Sequence, residues 1–154
     1  MRMRAIFVLG CFVVSLALVS GALAFSGAKR TTTMNGAEEC NAVGVCNLGD
    51  PDGSGLAHIT LNAGQATVCW ELTVSNIMPA TASHIHKAPA GVAGPIVVPL
   101  SPPTSGSSSG CTTASPTLIA DIIENPEEYY VNVHTSDFPA GAVRGQLSNR
   151  GQFD

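Results

Sequence analysis

The sequence predicts an all-β domain, an antiparallel Greek-key-like β-sandwich or barrel with one short helix. Three observations carry this reading. Apolar and polar residues alternate along several short segments, the period-two pattern of half-buried strands. Turn-forming residues separate those segments, with 16 Gly and 10 Pro in 154 residues. Only one segment spaces its apolar residues as a helix does. Charge narrows function at the same time. Charged residues make up 12% of the chain and the formal net charge is −4, so the basic footprint that nucleic-acid binding requires is missing.

The N-terminus reads as a targeting segment. Met1-Arg2-Met3-Arg4 precedes the apolar run Ala5 to Ala24, which ends in Ala22-Leu23-Ala24. A basic n-region, an apolar h-region and a small-residue exit make residues 1–24 a secretory signal peptide. A membrane anchor is the rival, since ~20 apolar residues can cross a bilayer. Gly10, Ser15, Ser20 and Gly21 soften the run, however, and a cleavage site is in place. Cleavage leaves no stable membrane span and places the protein outside the cytoplasm, secreted or periplasmic. Residues 25–37 are small and polar without periodicity and read as a leader; the domain itself is expected over 38–154.

Cleavage also removes Cys11 and leaves an even set, Cys40, Cys46, Cys69 and Cys111. In an exported chain these imply two disulfides, with three pairings open to four cysteines. No C-x-x-C spacing supports a structural zinc site. Cys40–Cys46 and Cys69–Cys111 are the expected pairs. The first joins near neighbours. The second ties a Ser/Gly-rich stretch to a central strand, on the side away from Trp70. Loop-closure entropy gives contributions of about 2.4 and about 4 kcal/mol.

The strands follow in order. In Leu56 to Asn62, residues Ala57, Ile59 and Leu61 share one face, and Asn62-Ala63-Gly64-Gln65 turns the chain. Ala66 to Ile77 returns with Val68, Trp70, Leu72 and Val74 inward, completing a hairpin. Thr81 to Lys87 is a shorter strand with Ile85 inward between His84 and His86, and Pro95 to Leu100 is another. Ser101 to Pro116 has the composition of a flexible loop. Ser115-Pro116 then caps a short helix over 117–124, whose Leu118, Ile119, Ile122 and Ile123 form one face. Asn125-Pro126 ends it. Tyr129 to Thr135 and Ala142 to Ser148 are the last strands. The expected core is Ile59, Leu61, Val68, Trp70, Leu72, Val74, Ile85, Val131, Val133 and Leu147.

A series of motifs resembles a known family. Thr81-Ala82-Ser83-His84-Ile85-His86-Lys87-Ala88 with Gly91-Val92-Ala93-Gly94-Pro95-Ile96-Val97-Val98 is similar to the central motif of the CHRD (chordin) domain. Asn125-Pro126, Tyr129-Tyr130-Val131-Asn132-Val133-His134-Thr135 and Phe138-Pro139-Ala140-Gly141-Ala142-Val143-Arg144-Gly145-Gln146-Leu147 continue the pattern. The resemblance spans about residues 50 to 148, and Cys40 to Cys46 departs from it as a local insertion. In chordin-type antagonists the domain accompanies cysteine-rich modules that bind signalling proteins. Such modules do not occur here, so the resemblance implies an exported β domain and not growth-factor antagonism.

The histidines supply the candidate chemistry. His84 and His86 lie two apart on a strand and leave by the same face. His134 lies on the polar face of another strand, and His58, a weaker candidate, on that of a third. An H-x-H pair joined by histidines from neighbouring strands is a way to hold copper or zinc. Copper/zinc superoxide dismutases use an H-x-H strand similarly, but four histidines are too few for a dinuclear site. The expectation is therefore a non-enzymatic binding or envelope-associated module with a copper or zinc site at His84, His86 and His134. The alternative is a mononuclear copper redox enzyme resembling a copper-only superoxide dismutase. Arg144 and Gln146 share the polar face as supporting groups. No residue is assigned a catalytic role: no G-x-S-x-G elbow is present, and a calcium loop begun at Asp50 would end on Leu61 instead of Glu.

Overall fold

The computed structural model describes residues 27–148; the expected signal peptide lies outside them. The strands are β1 (Ala28–Asn35), β2 (Ser54–Asn62), β3 (Thr67–Ser75), β4 (Ala82–Lys87), β5 (Ile96–Leu100), β6 (Ser107–Thr113), β7 (Tyr129–His134) and β8 (Val143–Gln146), with one helix, α1 (Pro116–Glu124). All join one antiparallel sheet in the order β5-β4-β7-β8-β1-β2-β3-β6. The sheet curls into a nearly closed barrel. Its two edges approach where Ser108 Oγ, on β6, donates to Ser101 O just past β5 at 2.7 Å. Sequence alternation left sandwich and barrel open, and one continuous sheet decides for the barrel.

The inner face carries the core. Every residue expected there is buried, from Ile85, Val131 and Val133 at 0% exposure to Val74 at 9%. α1 adds Ile119 and Ile122 to this core. Its start is fixed by Ser115, whose side chain accepts from Leu118 N at 3.1 Å, and by Pro116, whose missing N–H costs nothing at a helix start. Lys87, Asp121 and Tyr129 tie the helix to β4 and β7 through a shared carboxylate.

Two expectations are corrected. Where the expected leader is described it is not one: Ala28–Asn35 forms β1 in the middle of the sheet, paired with β2 from Ala28↔Leu61 to Asn35↔Ser54 and touching β8 at Asn35↔Arg144. The segment hides its alternation because Thr stands on both faces. Thr32 and Met34 point inward and are buried, whereas Thr33 is exposed. Its β-branched threonines fit a pleated surface all the same. Ser101–Pro116 is likewise not all loop, since Ser107–Thr113 forms edge strand β6 against β3. Small polar residues suit an edge, where a hydrophobic strand would invite pairing with other chains. Gly110 also leaves room for the Trp70 ring, as a Cβ there would lie 2.8 Å from Cζ2.

Both disulfides form as expected, Cys40–Cys46 and Cys69–Cys111. Cys69 and Cys111 are directly opposed on β3 and β6, so the bridge clamps the edge strand from outside. Cys40–Cys46 closes a lobe between β1 and β2 that leans on the β4–β5 connection, with Ala93 N donating to Asn41 O at 3.2 Å. No helix among the described residues is long and apolar enough to cross a membrane.

Candidate metal centre on the outer face

The site is built on three adjacent strands, β4, β7 and β8. The register sets His84 opposite Asn132 and Ala82 opposite His134, while Asn132 also faces Arg144. Because Ile85, Val131 and Val133 must face the core, His84, His86, Asn132, His134 and Arg144 are forced outward. A shift by one residue would reverse every one of them. A register irregularity between Ile85 and His86 lies in the β4–β5 pairing, beside the H-x-H motif.

This outer face is largely covered, with only its His84 edge reaching solvent. The β4–β5 connection and the turn around Pro139 fold over it, leaving His86 and His134 only 7% and 9% exposed. His84 is half-buried. The three histidines meet: one ring nitrogen from each can be chosen so that all lie within 4.8 Å of one another. His84 Nδ1 stands 3.1 Å from His134 Nε2.

The surroundings fix which nitrogens carry protons. His134 Nδ1 lies 3.1 Å from Pro139 O, and His86 Nδ1 lies 2.9 Å from Gly94 O. A carbonyl only accepts, so both Nδ1 atoms are protonated and donate. In the neutral rings, which burial favours, both Nε2 atoms then present lone pairs. That of His134 accepts from His84 Nδ1, whereas that of His86 is buried with no partner. Backbone carbonyls orienting the far nitrogen of an imidazole are the usual second layer of a histidine metal site.

Electrostatics agree with that geometry. Burial, followed by the proximity of His134 and His86, lowers His84 to about 4. Burial also lowers His86 and His134, against the opposing pull of the Gly94 and Pro139 carbonyls. The cluster is therefore neutral at pH 7, the state in which imidazole ligates a metal.

A second layer holds His86 in place. Tyr130 stacks on its ring at 4.8 Å, and the Arg144 guanidinium lies over the Tyr130 ring, 3.6 Å from its centroid. Arg144 is 1% exposed. It donates to Val92 O and Pro89 O, and also to Gln146 Oε1, while Gln146 Nε2 donates to Ala88 O. Arg144 and Gln146 thus pin the β4–β5 connection across the site. Gly94 completes it, taking His86 Nδ1–H on its carbonyl and giving its own N–H to the Tyr130 hydroxyl at 3.1 Å. A Cβ at Gly94 would fall 2.0 Å from Lys87 O. The Gly94 and Pro139 carbonyls escaped sequence reading, because any residue type can offer a carbonyl.

His58 is not brought to this cluster. It stands on β2, separated from β4 by β1, β8 and β7 in the sheet, and its Nδ1 lies 2.9 Å from Thr31 Oγ1.

Fold and site together define a nearly closed antiparallel barrel with three imidazoles gathered under a loop on its outer face. Residues 30–147 match the CHRD domain, so the chain belongs to the CHRD domain family. The match starts within β1, in keeping with that strand's place in the sheet. No curated protein and no solved structure matches the chain.

Proposed function

We propose that this protein is an exported, non-enzymatic β module that binds one copper or zinc ion through His84, His86 and His134. The observation carrying this reading is the pair of Nε2 lone pairs on His86 and His134. Each is set by a carbonyl behind the ring, and that of His86 is buried without a donor. Leaving such an atom unpaired costs about 1–3 kcal/mol, and a bound cation removes the cost. Zinc–nitrogen bonds of ~2.0–2.1 Å place tetrahedral ligand atoms ~3.4 Å apart. The 4.8 Å cluster therefore contracts by modest ring rotations, chiefly of half-buried His84. All-nitrogen ligation suits either ion.

Export is supported by the two disulfides, which persist in oxidising compartments, and by the signal-like residues 1–24. A second reading, mononuclear copper redox chemistry, draws on one feature. Three protein ligands leave a coordination position open, and half-buried His84 borders solvent.

Titration calorimetry of the purified protein with zinc and with copper tests the proposal. One ion per chain is expected, with binding lost in His86→Ala and His134→Ala and kept in His58→Ala. No saturable binding, or binding abolished only by His58→Ala, rejects it. Superoxide turnover by the copper-loaded protein would favour the second reading.

A further inference from the structure

A buried carboxyl outside the histidine cluster has an incomplete set of partners. Glu39 follows the turn Gly36–Glu38 at the root of the disulfide lobe and is 4% exposed. Its side chain packs against Gly141, where a Cβ would stand 2.5 Å from the carboxyl carbon. Asn132 Nδ2 donates to Glu39 Oε2 at 3.3 Å. The remaining oxygens of this facing pair, Glu39 Oε1 and Asn132 Oδ1, are both buried with no hydrogen-bond partner.

The protonation state decides whether that arrangement is tolerable. With an ionised carboxylate, two acceptors lie orphaned in one place. A proton on Oε1 would supply the missing donor, so that the pair could close as a ring of two bonds, the observed Nδ2–H to Oε2 and a new Oε1–H to Oδ1. Nearby charges do not supply another solution. Arg144 on β8 is the adjacent cation, but it donates to Val92 O, Pro89 O and Gln146 Oε1. The described residues contain no Glu39–Arg144 ion pair. Glu38 on the preceding turn and Asp50 on the following one are acids. Tyr130 and His134 flank Asn132 along β7, and His84 faces it from β4.

We propose that Glu39 and Asn132 form a closed carboxylic acid–carboxamide pair, a proton-held latch that fastens the disulfide lobe to β7 and opens when the carboxyl ionises. Backbone bonds of the lobe meet beside this pair. Leu48 N donates to Glu39 O and Asn47 N to Ala37 O, both at 3.1 Å. The same lobe presents Val43, 84% exposed, and braces the β4–β5 connection through Asn41. Burial, outweighing Arg144 and the Asn132 bond, raises the Glu39 carboxyl from 4.5 to about 8. The latch stands on these contacts alone and does not require that a metal binds.

The test follows from linkage. Opening the lobe hands the carboxyl to water, where it ionises near 4.5, whereas the closed form keeps its proton to about 8. The opening equilibrium therefore rises by up to tenfold per pH unit across that window and levels off above it. Hydrogen exchange on the metal-free protein reads this at the Asn47 and Leu48 amides, after correction for intrinsic exchange rates. Wild type should lose protection toward tenfold per unit. Glu39→Gln, whose amide completes the same ring, should keep protection and lose the slope. A flat wild-type profile, an unchanged slope in Glu39→Gln, or protection lost at every pH in that variant overturns the proposal. Infrared spectroscopy at about pH 6 gives an independent reading. A buried protonated-carboxyl band must be present in wild type and absent in Glu39→Gln, and its absence from wild type also overturns the latch.

Discussion

Gly94→Ala is the sharpest perturbation of the site that leaves every histidine in place. The glycine is required by close approach and not by backbone conformation. An added Cβ falls 2.0 Å from Lys87 O and 2.7 Å from Lys87 C. Carbon–oxygen contacts settle at ~3.3–3.6 Å, so the β4–β5 connection must retreat by more than about 1 Å. Three hydrogen bonds stretch or break with it: His86 Nδ1 to Gly94 O at 2.9 Å, Gly94 N to Tyr130 Oη at 3.1 Å, and Lys87 N to Pro95 O at 3.0 Å. At ~1 kcal/mol net for each bond, the expected loss is about 3 kcal/mol. Urea unfolding measures it as a lower midpoint at constant slope. Nitrogen NMR of His86 measures the local consequence, because without the Gly94 carbonyl its proton is no longer held on Nδ1. A variant within about 0.5 kcal/mol of wild type, an ordinary surface effect, with His86 still protonated on Nδ1, would refute the reasoning.

Other outcomes follow from the same structure. Trp70→Ala removes a large ring that is 6% exposed and should cost about 3–5 kcal/mol in denaturant unfolding. Replacing Cys69 and Cys111 together should cost more than replacing Cys40 and Cys46 together, about 4 against about 2.4 kcal/mol from loop closure; equal or reversed losses contradict the entropic argument. In the metal-free protein the His84 ring should stay neutral down to about pH 4. Because its folded value lies below the ordinary 6.5, the unfolded chain takes up the proton first, and stability falls as pH drops from there toward 4. Proton NMR titration checks the midpoint, and a value near 6.5 would place the ring in solvent.

Much of this architecture can be read from residues alone, and the exceptions have physical causes. The hairpin of β2 and β3 declares itself because large apolar side chains alternate with polar ones. β1 and β6 do not, since Thr, Ser and Gly fit either face and only the partner strand fixes their pleat. The H-x-H motif and His134 identify themselves by residue type, and outward direction follows from Ile85, Val131 and Val133. Adjacency of β4 and β7 is a property of topology, invisible to local pattern. So is the cover over the polar face: Arg144 reads as a surface residue and is buried, because the distant Pro89–Val92 loop folds back onto it. Glu39 gives no signal of its burial, which depends on Gly141 far along the chain.

Whether the three imidazoles hold one ion is tested most directly by anomalous diffraction from crystals of the protein grown with zinc or copper. The account predicts one peak per chain, bonded to His86 Nε2, His134 Nε2 and a His84 ring nitrogen at ~2.0–2.1 Å for zinc. A loaded crystal with no peak at that cluster, or with its peak at His58, would contradict it.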